Sequence, residues 1–209
     1  TAAIAFQGYS GTIYNWTNSM PTIGLAASGT GDITAFTGQN NGTSPLTGSI
    51  QITPEYLNAG LSCFGTAQTF SITVNPAPVI DFSYQNQVIC SGGLTPTVSI
   101  NSTTPNSNIT WNVMNAPAGI SGLTSTSGTN LIPSFTLVNS TNVAQTVQIS
   151  ASAATAVGGC QGISSVFTIT VNPAPTVLPT NPLVVCNGDQ IAGLTFSGTG
   201  TSYTWTNNL

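Results

Sequence analysis

Ionisable and nucleophilic side chains carry most protein chemistry, and this sequence holds few of them. Among 209 residues there is no Lys, Arg or His, and there are four carboxylates, Asp32, Glu55, Asp81 and Asp189. General acid–base catalysis draws on His, Lys or paired carboxylates, whereas these four are scattered along the chain. A Ser–His–Asp triad and a histidine–zinc site are excluded by composition. Calcium prefers several carboxylates in one tight loop, and nothing of the form Asp-x-Asp-x-Asp occurs. Ser28-Gly29-Thr30-Gly31 is a glycine-bearing loop with no helical pattern after it, so it is no phosphate cradle. The expectation is a chain that is not an enzyme and takes no metal or cofactor.

Four cysteines and three tryptophans remain. Cys63, Cys90, Cys160 and Cys186 could form disulfides. Trp16, Trp111 and Trp205, with Tyr14 and Tyr203 two residues before the first and last, could stack against sugar rings. The alternative for the tryptophans is core packing, favoured by their period-two placement on a strand that should be central.

Charged residues make up 2% of the chain, against about 25% in an ordinary soluble domain. Nucleic acids and anionic membrane surfaces are bound largely through Lys and Arg, so neither is an expected partner. Hydrophobic residues reach 40%, enough to fill cores, which sets the chain apart from the usual disordered composition. No apolar run approaches the roughly 18 residues of a membrane helix, so nothing is expected to span a bilayer. The five Asn-x-Ser/Thr triplets, at Asn15, Asn41, Asn101, Asn108 and Asn139, are expected by chance in so Asn- and Thr-rich a chain.

The elements that must position these residues recur. Phe70-Ser71-Ile72-Thr73-Val74-Asn75-Pro76-Ala77-Pro78 returns as Phe167-Thr168-Ile169-Thr170-Val171-Asn172-Pro173-Ala174-Pro175, 97 positions on. The tryptophans recur at 95 and 94, Cys63 returns as Cys160 at 97, and Cys90 as Cys186 at 96. Ile50-Gln51-Ile52 matches Val147-Gln148-Ile149, and Phe36 matches Phe135. Independent markers agreeing in phase define a repeat of roughly ninety-five residues. Boundaries after Asn-Pro give residues 1–76 as a unit lacking its first strand, 77–173 as a complete one, and 174–209 as the opening of a third. On this phase the chain starts and stops inside units of a longer array.

Short β-type runs punctuated by turn residues fill the complete unit. They lie at 97–100, 108–113, 135–138, 143–150 and 167–171, and the last alternates with Phe167, Ile169 and Val171 on one face. Phe70 and Phe167 are therefore expected in repeat cores with Trp16, Trp111 and Trp205. Six or seven strands, a tryptophan on the third and no helical period predict an all-β fold, tandem immunoglobulin-like sandwiches arranged as an extended rod. Pro76, Pro78, Pro173 and Pro175 lie just past the closing strands, where each removes a backbone donor and fixes φ. Two prolines in three residues predict a short, stiff spacer.

Four cysteines allow three full pairings. In a sandwich Cys160 precedes the last strand, and Cys90 sits near the start of the same unit, which predicts that both lie at one end. Cys63 and Cys90 are separated by a full strand of about 30 Å, beyond the roughly 7 Å that a disulfide spans. The expectation is a Cys90–Cys160 disulfide, with Cys63 and Cys186 single within this stretch, and an oxidising compartment. The alternative is four buried thiols.

Tyr14-Asn15-Trp16-Thr17-Asn18, the string Ile23-Gly24-Leu25-Ala26-Ala27-Ser28-Gly29-Thr30-Gly31-Asp32-Ile33, Cys63-Phe64-Gly65 and the Phe-x-Ile-Thr-Val-Asn-Pro ending together resemble the PKD-like repeat of Bacteroidota. The second unit keeps Cys160-Gln161-Gly162 and the ending, and is read as departing between Gly122 and Leu131. The third shows Cys186-Asn187-Gly188 and Tyr203-Thr204-Trp205-Thr206-Asn207. Such repeats occur in giant surface proteins, notably the SprB-like gliding-motility adhesins. The resemblance implies type IX secretion, attachment at the outer membrane through an anchoring protein, and a cell-surface location.

Three functions follow as expectations. The first is a structural and adhesive shaft of tandem sandwiches. The second is a module recognising glycans or other external surfaces, and the third a spacer in a secreted multidomain enzyme. Edge strands are normally protected by charge, Lys above all, and a net charge of −4 over 209 residues gives little self-repulsion. Lateral self-association is expected in consequence.

Overall fold

The computed structural model describes residues 1–207. Its regular structure is β throughout, apart from one turn of 3-10 helix at Pro21–Ile23. A first sheet is built from β1 (Thr12–Asn18), β2 (Ser28–Thr30), β3 (Leu46–Asn58), β4 (Leu61–Phe64) and β5 (Gln68–Val74). Its order is β2-β1-β3, and β3 is long enough to pair β5 along residues 46–52 and β4 along 55–58. Leu46, Gly48, Ile50 and Ile52 alternate on β3 with Thr47, Ser49 and Gln51, so one face is apolar and the other is hydroxyl and amide. The turn into β4 is a two-residue hairpin at Ala59 and Gly60, both at positive φ, the twist that suits a tight antiparallel return. Trp16, Ile23, Leu25, Ile33, Ile50 and Ile52 form the core over this sheet.

Eleven further strands follow: β6 (Ile80–Phe82), β7 (Gln87–Cys90), β8 (Gly93–Leu94), β9 (Val98–Ser102), β10 (Ser107–Asn115), β11 (Ile120–Ser121), β12 (Ser127–Thr129), β13 (Leu131–Ile132), β14 (Thr136–Asn139), β15 (Gln145–Thr155) and β16 (Ser165–Asn172). They make a five-stranded sheet, β12-β10-β15-β16-β7, and two three-stranded ones, β11-β14-β8 and β13-β9-β6. β7 runs parallel to β16, whereas β14 is antiparallel to β11 and β8. On β15, Val147, Ile149, Ala151 and Ala153 point inward at alternate positions and are fully buried. Each large side chain so buried stabilises the fold by roughly 1.5–3 kcal/mol.

Among the described residues, β1–β5 pair only with one another, and β6–β16 likewise. Compactness divides the chain differently. One unit takes Thr1–Asp81, Ile100–Thr110 and Ala151–Ser165; the other takes Phe82–Ser99, Trp111–Ser150 and the residues from 166 onward. The strand runs read from the sequence lie on β9, β10, β14, β15 and β16. The short β6, β7, β8, β11, β12 and β13 escaped that reading, since two to four residues carry too little alternation to register. β5 ends at Val74, two residues before Pro76, and β16 at Asn172, directly before Pro173, where the missing proline donors stop each strand. Pro76 and Pro78 are buried, Pro173 is half-buried and Pro175 exposed.

Two expectations about the repeat are corrected. The segment between Gly122 and Leu131 does keep the motif of the first unit, with one residue inserted. Gly24-Leu25 and Gly122-Leu123 correspond, as do Ser28-Gly29-Thr30 and Ser127-Gly128-Thr129, which form β2 and β12. Gly24 and Gly122 have φ of 93° and 95°, and a Cβ at either would collide with a backbone carbonyl, of Thr37 or Thr136. The second correction concerns Trp205, which is 72% exposed rather than part of a core. Residues 174–207 contain one isolated bridge, Val177↔Gly198, and no strand. Nothing there corresponds to the strands that flank Trp16 and Trp111. What residues 174–207 do reproduce is the opening clasp of the preceding unit. Thr176 N donates to Thr199 Oγ1 and Thr199 N to Thr176 O, as Val79 and Thr103 do.

Candidate interaction surface

The carboxylates act on nearby backbone and side chains. Asp32 Oδ1 accepts from Phe6 N at 2.9 Å, and Asp189 Oδ2 accepts from Cys186 N at 2.8 Å. Glu55 accepts from Asn15 Nδ2 at 2.7 Å and from the Ser62 hydroxyl. These three carboxylates are thereby used as turn or cross-strand braces. Among the described residues, no three His, Cys, Asp or Glu side chains gather in a metal-binding group.

The cysteine pairing read from the sequence is corrected by the topology. All four cysteines are free thiols, Cys160 half-buried and the others exposed. In the parallel register of β7 on β16, Cys90 stands opposite Asn172, the last residue of β16. Cys160 precedes the first residue of that strand by five positions, and its backbone amide is held by Thr155 Oγ1 at 2.9 Å. The eight residues of β16 therefore lie between the levels of the two thiols. That is roughly 23 Å of strand, too far for a disulfide. The sequence reading placed Cys90 before the ascent of the first strand, whereas β7 has already carried the chain to the opposite end. The alternative of four buried thiols fails with it.

Trp16 and Trp111 are buried, which decides for core packing over a sugar platform. β2 and β12 each lay a glycine on the indole: a Cβ at Gly29 would collide with the Trp16 ring, and one at Gly128 would stand 2.8 Å from Trp111 Nε1. Trp111 Nε1 donates to Leu131 O at 2.7 Å, while Trp16 Nε1 is buried without a partner. Phe167 is fully buried and packs on Phe82, ring centroids 5.5 Å apart. Phe70 is only half-buried, because β5 has no covering strand equivalent to β6 or β7.

A repeated asparagine had escaped notice. Asn40 Nδ2 donates to Ser44 O and Val74 O, and its Oδ1 accepts from Gly42 N. Asn139 does the same with Val143 O, Val171 O and Thr141 N. Each clamp ties a loop to the end of the closing strand, at Val74 of β5 and Val171 of β16. The signal was available, since the two asparagines stand at the same offset as Phe36 and Phe135. Asn139 is buried in this role, so its Asn-x-Thr triplet offers no acceptor for a glycan.

Part of the solvent-facing surface of the first sheet is uncharged and polar, while Tyr56, Leu57, Leu61 and Phe64 stand exposed around the β3–β4 hairpin. Ser28, Thr17, Gln51 and Thr69 form one row across four strands, and Thr47 and Thr73 join hydroxyls at 2.9 Å. Thr146 and Thr170 repeat that pair at 3.1 Å. Beside the first sheet, a groove of about 360 Å³ is lined by Phe6, Tyr9, Tyr14, Pro54 and Gln68, among others. The Phe6 and Tyr14 rings are 5.4 Å apart, and Tyr9 is 92% exposed.

Residues 87–175 match the family described as the PKD-like domain. No curated protein matches the sequence. Solved structures that resemble the chain include chicken VE-cadherin EC1-2, at 16% identity and a TM-score of 0.33, covering 81% of this chain and 87% of that one. The protocadherin GammaB4 extracellular domain matches at 16% identity and a TM-score of 0.39, over 91% of this chain and 32% of the other. The protocadherin gammaB7 EC3-6 cis-dimer structure matches at 14% and 0.37, over 82% and 43%.

Proposed function

We propose that this chain is a segment of the shaft of a long, repetitive, extracellular surface protein, with structural and adhesive rather than catalytic work. The observation that carries the reading is the repeated scaffold: the indole under a Ser-Gly-Thr strand, the asparagine clamp and the Thr–Thr pair all recur in phase with the Asn-Pro endings. The PKD-like match over residues 87–175 supports an extracellular module, and no helix among the described residues is long and apolar enough to cross a membrane. On this proposal the repeats divide at residues 76 and 173 and follow one another as a rod. The sequence resemblance extends it to a gliding-motility adhesin exported by type IX secretion and held by an outer-membrane anchoring protein. Electron microscopy of the purified parent protein tests the shaft: a thread is expected, and a compact particle overturns it.

A second reading is glycan recognition in the aromatic groove, favoured by the exposure of Tyr9 beside the Phe6–Tyr14 pair. A glycan array compared with Tyr9→Ala tests it. Binding lost in a variant of unchanged stability supports recognition, and no binding by the parent chain removes it.

A further inference from the structure

We propose that neighbouring repeats are joined by a disulfide, from the Cys90 position of one unit to the Cys160 position of the unit that follows it. The inference rests on the repeat array of the proposed function. Both positions recur, Cys63 returning as Cys160 and Cys90 as Cys186, so the repeat supplies one of each to a unit. Within one unit they stand at opposite ends of β16, too far apart to pair. The asparagine that follows or ends each closing strand shows where the two thiols lie. In the β7–β16 register Cys90 is the partner of Asn172, and Ser91 N donates to Asn172 O at 2.8 Å. Ile89 and Val171 pair one position earlier, and Val171 is buried. Cys90 and Asn172 therefore turn side by side to the outer face, on strands about 4.8 Å apart.

Asn75 is the counterpart of Asn172, 97 positions earlier, and its side chain meets the loop that carries Cys160. Asn75 Nδ2 donates to Val157 O at 3.1 Å. A Cβ on Gly158 would stand 2.5 Å from Asn75 Nδ2 and 3.9 Å from Cys160 Sγ, so amide and thiol flank one point. The loop is braced, since Thr155 Oγ1 donates to Val157 O and accepts from Cys160 N, while Thr155 N donates to Cys160 O. These contacts all fall within the compact unit of Thr1–Asp81, Ile100–Thr110 and Ala151–Ser165. One asparagine position thus has the Cys90 thiol beside it in its own unit and the Cys160 thiol of the next unit near its amide. Superimposing Asn172 on Asn75 brings the two sulfurs to the same side chain, within the reach of a disulfide. The oxidant is a disulfide compound, acting by exchange. One cysteine thiolate attacks it, forming a mixed disulfide and releasing a thiol; the second thiolate displaces the other thiol and closes the link. Two cysteine thiols are oxidised, the oxidant is reduced to two thiols, and the protons balance. Neighbours then share two covalent connections, the Pro-Ala-Pro backbone and the disulfide.

Pepsin digestion of the unreduced parent protein in acid, which suppresses exchange, followed by mass spectrometry reads the link. The expected product joins the Cys160 peptide to the Cys90 counterpart of the preceding unit. Free thiols at these positions, or a Cys90–Cys160 link inside one unit, overturn the proposal. Neither thiol meets its partner within these 209 residues, so in this chain the geometry is tested with Asn75→Cys, which puts a thiol at the shared asparagine. With oxidised glutathione as the disulfide, the introduced thiol is expected to link to Cys160 of its own chain. A link to Cys63, to Cys90 or to another copy overturns the proposal, and so does an introduced thiol that forms no protein link. The mass reading is independent of shape. A thread with free thiols overturns the link and leaves the shaft standing, whereas linked neighbours in a compact particle uphold the link and overturn the shaft.

Discussion

Single residues here act by position rather than reactivity. Asn139 satisfies one buried and one part-buried carbonyl and a loop amide, so Asn139→Ala should cost about 2–4 kcal/mol, read as a lowered urea midpoint with an unchanged m-value. Gly122→Ala joins a φ of 95° to a collision with the Thr136 carbonyl. A loss of about 1–3 kcal/mol is expected in thermal unfolding. Trp111→Ala should remove about 3–5 kcal/mol by emptying a core site, whereas Tyr9→Ala should leave stability within about 0.5 kcal/mol. The free thiols give a direct check on the corrected pairing. Cys63, Cys90 and Cys186 are exposed and should react quickly with a thiol reagent in the native state, Cys160 more slowly. A native chain in which Cys90 and Cys160 are both unreactive until reduced would contradict the topology.

At the scale of elements, β7 is the strand that completes its sheet. Its hydrogen bonds cap β16, and Phe82 on β6 covers Phe167. Substituting Val88→Pro and Ile89→Pro together should uncap that edge and cost about 3 kcal/mol. Hydrogen exchange should then rise at Thr170 and Asn172, whose backbone groups face β7, while the β3 and β5 amides stay as they were, because the first sheet shares no strand with the second set. Uniform loosening of both would show that the sheets unfold as one. The same comparison explains why β5 is the more exposed copy of a shared sequence pattern: burial of Phe70, Ile72 and Val74 depends on a neighbour that β16 has and β5 lacks among the described residues.

For the whole molecule, composition governs association. With no Lys, Arg or His and a net charge of −4, attraction between copies must come from apolar burial and backbone pairing rather than ion pairs. Raising NaCl from about 0.05 to 0.5 M should therefore change the association constant by less than about threefold, and sulfate salts should strengthen it. A steep fall with NaCl, measured by sedimentation, would point instead to charge-driven contact.

The sequence by itself determined the repeat phase, the β class, the alternating strands at 97–100, 108–113 and 143–150, the burial of Trp16 and Trp111, and the stops at Pro76 and Pro173. These are local properties, written in side-chain alternation and in the missing donor of proline. Tertiary structure alone decided which end Cys90 occupies, since that depends on β7 pairing in parallel with a strand some eighty residues later in the chain. It also decided that Gly29 and Gly128 must be bare to seat an indole, and that Asn40 and Asn139 are clamps. The same holds for Phe70 and Trp205, which share their sequence pattern with buried counterparts yet stay uncovered. Burial is a property of what lies opposite, and no stretch of sequence carries its own neighbour.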